Sequence, residues 1–261
     1  SYALAQSQQA DLLITNHAML FTDKHRLEPL LTNEITSFII DEAHQFVQAA
    51  NARDERIFSF TQWKYVLGQL GTRDQEQLTS SFARVLERQG VEVSNTFEEL
   101  DRIYLQCSDN FDEAVQSLVQ NVIRKKKAKS HSKQTILLEE LELNFDVLNE
   151  VYHYLQRWLT LAESLLNRIS TSQLESSHSE KLIVAEWQYW LNEMKIKTGE
   201  WVDIFLSSTS EHSIWVELDG RSVPGSLHVF KKPIDSTRAV NEIFDEWRGK
   251  AGIIWTSGTL S

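Results

Sequence analysis

Four consecutive residues, Asp41-Glu42-Ala43-His44, bring two carboxylates and an imidazole to the end of the apolar run Phe38-Ile39-Ile40. A short apolar run of this kind reads as a buried parallel strand, and ligands of parallel α/β sheets bind beyond the carboxyl ends of the strands. The pattern suits hydrolysis of a nucleotide phosphate. Asp41 would hold Mg2+, through water, while Glu42 orients and deprotonates the attacking water. His44 would reach across and sense the state of the site. The same residues allow two other readings. Asp41 and Glu42 also favour the start of a following helix through its dipole, which would leave the chain a non-catalytic helical scaffold. The acids together with His17 or His44 could instead serve a metal-dependent hydrolase.

The elements around this block set its position. Asp11-Leu12-Leu13-Ile14 and Ser37-Phe38-Ile39-Ile40 have the length of buried strands, and a helix-compatible stretch from about Ala18 to Leu31 lies between them. From about Gln45 to Ser210 proline is absent, glycine is rare and apolar residues recur at three and four. The spacing predicts one helix from Thr96 to Arg124 and a second from Leu138 to Ile169, packed antiparallel as a hairpin, with a third helix from about Ser179 to Lys197. After Ser210 a strand pattern returns at 213–218 and 226–230. A helix carrying Val240, Ile243, Phe244 and Trp247 follows, then an apolar strand Gly252-Ile253-Ile254-Trp255-Thr256. The expected architecture is an α/β layer at 1–44 and 211–261, interrupted by an all-α insertion at 45–210.

Composition narrows the partners. At 261 residues with 41% apolar and 24% charged residues, the chain has the make-up of an ordinary globular protein, and no apolar run reaches the length of a membrane span. No membrane partner and a cytoplasmic location are expected. The net charge of −11 argues against a surface coated in cations for duplex binding, so any nucleic-acid contact must be local. Arg124, Lys125, Lys126, Lys127, Lys129 and Lys133 form one basic run, either a solvated helix end or a hand on DNA or on a partner protein. Most of the eight tryptophans read as core, Trp158 on a helix stripe and Trp255 in a strand. Cys107, the single cysteine, falls on an apolar helix face and reads as a buried small hydrophobe.

Three blocks together resemble the DinG/XPD-like helicases of superfamily 2: Ala10-Asp11-Leu12-Leu13-Ile14-Thr15-Asn16-His17-Ala18-Met19-Leu20, then Phe38 to His44, then Ile253-Ile254-Trp255-Thr256-Ser257-Gly258-Thr259-Leu260-Ser261. They stand in that family's order, and the long gap after the second block matches its helical arch domain. The resemblance implies a partial RecA-like (P-loop NTPase) motor domain with a large arch insertion. It implies ATP and Mg2+ as cofactors, single-stranded DNA and repair or replication proteins as partners, and 5′-to-3′ translocation. Asp41, Glu42 and His44 align with the Walker B motif. Ser257 and Thr259 align with the Ser-Ala-Thr motif that couples nucleotide state to DNA movement, with Gly258 where alanine is usual. Asn16 and His17 match a further box, as a structural pair or as a DNA contact. No Gly-x-x-x-x-Gly-Lys-Ser/Thr phosphate loop occurs in the chain, so this piece alone is not expected to hydrolyse ATP. Family members that hold an iron–sulfur cluster encode its four cysteines ahead of the second block, so no such cluster is expected within this chain.

Overall fold

The computed structural model describes residues 10–23, 35–75, 77–91, 94–126, 134–169, 177–207, 210–218, 225–235, 237–247, 249 and 251–258. In chain order the elements are α1 (His17–Asp23), β1 (Ser37–Ile40), α2 (Ala43–Asp54), β2 (Arg56–Ser59), α3 (Phe60–Leu70), α4 (Leu78–Arg88), α5 (Ser94–Lys126) and β3 (Gln134–Leu137). They continue with α6 (Phe145–Asn167), α7 (His178–Trp201), a π-helical turn Val202–Leu206, β4 (His212–Leu218), β5 (Leu227–Pro233), α8 (Thr237–Trp247) and β6 (Gly252–Trp255). The chain is helix-rich and divides into two compact units. The first comprises 1–55, 210–213 and 231–261, and the second 56–209 and 214–230. Among the described residues no helix is long and apolar enough to cross a membrane.

In the first unit β1 and β6 pair in parallel, from Ser37 opposite Gly252 to Ile40 opposite Trp255. Ile40 turns inward onto Phe46 of α2, which meets Phe21 of α1 at a ring separation of 4.8 Å and Trp255 at 5.2 Å. Phe38 stacks on Trp247 of α8 at 3.8 Å. These contacts fix the ends of both strands on one small core.

In the second unit α5 and α6 pack along their apolar stripes, and α7 lies against α3, α4 and α6. A knot of aromatic rings holds the centre: Trp201 contacts Phe58, Trp63, Phe111 and Phe205 at 4.6–5.8 Å, and its indole N–H donates to the Leu148 carbonyl at 3.0 Å. Cys107 is buried in the same core, and desolvation pushes its thiol up to about 12. Gly71 ends α3 with a positive φ of 60°, a conformation that strains residues with a side chain, and a β-carbon there would also displace the Gln77 side chain.

Several expectations require correction. Asp11–Ile14 forms no strand: Leu12 is 74% and Ile14 87% exposed, and the β1–β6 sheet has no third strand among the described residues. The insertion is not all-α, because β2, β5, β4 and β3 form a four-stranded sheet in that order. The segments at 213–218 and 226–230 therefore belong to this sheet instead of resuming the β1–β6 layer. Their burial alternates, with Ile214, Val216 and Leu218 inward on β4 and Leu227 and Val229 on β5, which is the signature of strands covered on one face. The helix expected from Leu138 begins at Phe145, where the Asn144 side chain accepts from the Val147 N–H. Residues 134–137 pair instead with β4, antiparallel. Trp255, read as buried, is 37% exposed.

Candidate functional site

The carboxyl end of β1 lies beside that of β6, and Thr256 joins the two. Its N–H donates to the Ile40 carbonyl (2.9 Å), its carbonyl accepts from the Ala43 N–H (3.0 Å), and its hydroxyl donates to Asp41 Oδ1 at 2.6 Å. The Glu42 N–H also donates to Asp41 Oδ1, at 2.9 Å. One carboxylate oxygen of Asp41 is thus anchored twice. These bonds, with the Thr256 hydroxyl first and the Glu42 N–H second, hold the Asp41 carboxyl below its ordinary value of 3.8, with a smaller Coulombic pull from His17. Because the folded value is the lower one, the anchoring favours the fold at neutral pH and fades as pH falls through that lowered value.

Glu42 has φ 49° and ψ 56°, the only non-glycine of positive φ among the described residues. A left-handed non-glycine residue stores on the order of 1 kcal/mol of strain, and such residues concentrate at working sites. Glu42 occupies the N-cap position of α2, yet its side chain makes no capping hydrogen bond. Its Oε2 lies 3.3 Å from His44 Nδ1, and the same nitrogen lies 3.4 Å from Ser257 Oγ. His44 therefore bridges the block after β1 and the block after β6, which are 213 residues apart in sequence.

Of the residues singled out from sequence, Asp41, Glu42, His44 and Ser257 come together. Asn16 serves the backbone: its Oδ1 accepts from the Met19 N–H at 2.8 Å, capping α1. His17 stands edge-on to Phe46 at 5.7 Å. Arg124 and Lys125 are exposed near the end of α5, which closes at Lys126. Lys127, Lys129, Lys133 and Thr259 lie outside the described residues. Thr256 is a site residue that the motifs do not single out. Its signal is positional, since the parallel register that sets Ile40 against Trp255 places the next residue, Thr256, opposite Asp41.

Asp41, ionised at neutral pH with one oxygen fixed, suits a hard cation such as Mg2+ at the other. A metal-hydrolase site built from the acids with His17 or His44 would need several such side chains to converge. Among the described residues no group of three or more His, Cys, Asp or Glu side chains does so. Replacing Thr256 by valine removes the strongest support of the ionised carboxylate. The Asp41 pKa of Thr256→Val is expected to rise towards 3.8, followed through the carboxyl carbon by NMR titration. An unmoved titration would show that Thr256 does not hold this group.

No protein-family model matches the chain. The chain is similar to a curated protein, the 3'-5' exonuclease DinG of Bacillus subtilis (strain 168). The two are 23% identical over 262 residues, and the alignment covers 98% of this chain and 28% of that protein. This chain therefore spans little more than a quarter of the relative's length.

Proposed function

We propose that the chain is a segment of an ATP-dependent DNA helicase. It would contribute part of the first RecA-like motor domain at 1–44 and 211–261 and the arch insertion at 45–210. The observation that carries this reading is the joining of two separated blocks at one strand edge: Asp41 anchored by Thr256, and His44 set between Glu42 and Ser257. The distant likeness to a DinG protein supports a helicase-related role. So does the β1–β6 sheet, whose Ile39 (69% exposed) and Ile254 (56%) leave apolar surface for further layers of a motor domain.

In this reading Asp41 would hold Mg2+, through water, and the ion would supply positive charge that neutralises the nucleotide phosphates. Glu42 orients the attacking water and takes its proton. His44 links Glu42 to Ser257, and Thr259 supplies the second hydroxyl of that block, so the occupancy of the nucleotide site is passed to the segment that moves single-stranded DNA. Asn16 keeps α1 in place, and His17 adds positive charge near Asp41 when protonated.

The test is phosphate release by a polypeptide that joins this segment to a phosphate loop and a second motor domain. Single-stranded DNA is expected to stimulate it, whereas the 261-residue chain alone shows none. Absence of stimulation would favour the helical-scaffold reading. The basic run offers a separate check on the 261-residue chain. If it grips DNA, replacing Lys125, Lys126 and Lys127 by alanine lowers affinity and flattens the salt dependence by roughly two to three units of log-log slope. An unchanged slope would make these lysines a solvated helix end.

A further inference from the structure

Helix α7 is apolar on two faces. Trp187, Leu191, Met194 and Trp201 point into the core and are almost fully buried. On the opposite side Leu182, Tyr189 and Ile196 recur every seven residues and form a second stripe, exposed to 56%, 57% and 48%. At 1.5 Å per residue this stripe runs about 21 Å along the helix. Tyr65 of α3, 61% exposed, widens it: its ring meets Trp190 edge-on at 5.7 Å, and Trp190 in turn meets Tyr189 at 5.0 Å. A surface helix normally carries one apolar stripe, so a second one of this length marks a place where another element docks.

The charges beside the stripe select the occupant. Glu186 and Glu193 lie on the side of α7 that faces α3, and neither has an ion pair among the described residues. Lys195 pairs with Glu163, and Lys197 with Glu200 at 2.7 Å. Lys181 is exposed with no ion pair among the described residues, but its helical position sets it on the flank of the stripe opposite Glu186 and Glu193. Exposed aromatic rings can stack nucleic-acid bases, but unpaired carboxylates beside them repel a phosphate backbone. A helix that lays an apolar face along the stripe and sets lysines or arginines against Glu186 and Glu193 satisfies both features. We infer that the outer face of α7, with Tyr65, is a docking surface for a basic amphipathic helix of a partner protein. This inference stands apart from the ATPase reading, because it uses only residues of the second unit.

The test titrates the 261-residue chain with a labelled helical peptide of about five turns. One form carries an apolar stripe flanked by lysines, and the other carries glutamates in their place. The lysine peptide is expected to bind at least about tenfold more tightly, and Tyr189→Ser to weaken it by about tenfold or more. Glu186→Lys together with Glu193→Lys should reverse the preference between the two peptides. Tyr189 and Glu186 are exposed and Glu193 is half-buried with no ion pair among the described residues, so the thermal midpoint should hold; were Tyr189→Ser to misfold, the charge-reversed pair alone would decide. Equal binding of both peptides, or no binding of either, overturns the proposal. Preference for labelled oligothymidylate would instead make the face a base-stacking platform. A concentration-dependent dimer in sedimentation that Tyr189→Ser abolishes would make the occupant a second copy of the chain; both results overturn the partner-helix assignment.

Discussion

Under the proposed function, Glu42→Gln in the polypeptide that joins this segment to a phosphate loop and a second motor domain is expected to lower DNA-stimulated ATP turnover by about a hundredfold to ten-thousandfold, the range a positioned general base contributes, while nucleotide binding survives. Glutamine keeps the size of the side chain and can still hydrogen-bond His44, so the contact with the block after β6 is retained. What it cannot do is take a proton from water. Asp41→Asn should give a different phenotype, because Asp41 is the group proposed to hold Mg2+: nucleotide binding itself should weaken and turnover fall with it. The comparison is made by phosphate release with and without oligothymidylate, beside equilibrium binding of a labelled nucleotide. Unchanged turnover in Glu42→Gln would remove this residue from the chemistry and leave the left-handed turn at Glu42 as a feature of the fold alone.

The part of this site that is legible in local sequence is the acid pair after an apolar run. Phe38 to Ile40 and Ile253 to Trp255 both read as buried-type strands, and they do pair. The bond that sets the site is not local. Thr256 and Asp41 are 215 residues apart, and no periodicity connects them; only the strand register does. The helices show the converse. The stripes of α5 and α6 are legible because their spacing is set by the helix itself. The start of α6 is obscured because the three-and-four spacing continues backward through the 3-10 turn Leu138–Glu140. There Leu138 belongs to the turn and Leu141 to the bend after it, and Asn144, the actual cap, is the better marker.

The four-residue strands β2 and β3 carry too few residues for a period-two pattern to stand out within helical surroundings. That β4 and β5 are strands is plain in the sequence, yet the sheet they join is not the one expected. Strict alternation indicates a sheet covered on one face, whereas a strand of a doubly covered parallel sheet reads as a continuous apolar run. That distinction shows in the burial of β4, where Ile214, Val216 and Leu218 are inward and Trp215 and Glu217 half-buried, whereas in the sequence Ile214-Trp215-Val216 is as unbroken an apolar run as Ile253-Ile254-Trp255.

Trp201→Ala should be the most damaging single substitution in the second unit, costing about 3–5 kcal/mol. Three losses combine. The ring leaves a cavity among Phe58, Trp63, Phe111 and Phe205, which come from β2, α3, α5 and the π-helical turn. The Leu148 carbonyl loses the indole N–H that reaches it from another helix. The last turn of α7 also loses its anchor where the helix widens into the π-turn Val202–Leu206. Phe145→Ala is the control: that ring is 54% exposed at the start of α6, and its removal should shift stability by no more than about 0.5–1 kcal/mol. Urea unfolding of the 261-residue chain followed by near-ultraviolet circular dichroism measures both. Equal midpoints for the two variants would mean that the aromatic knot is not the centre of this unit's stability, and that the α5–α6 stripes carry it instead.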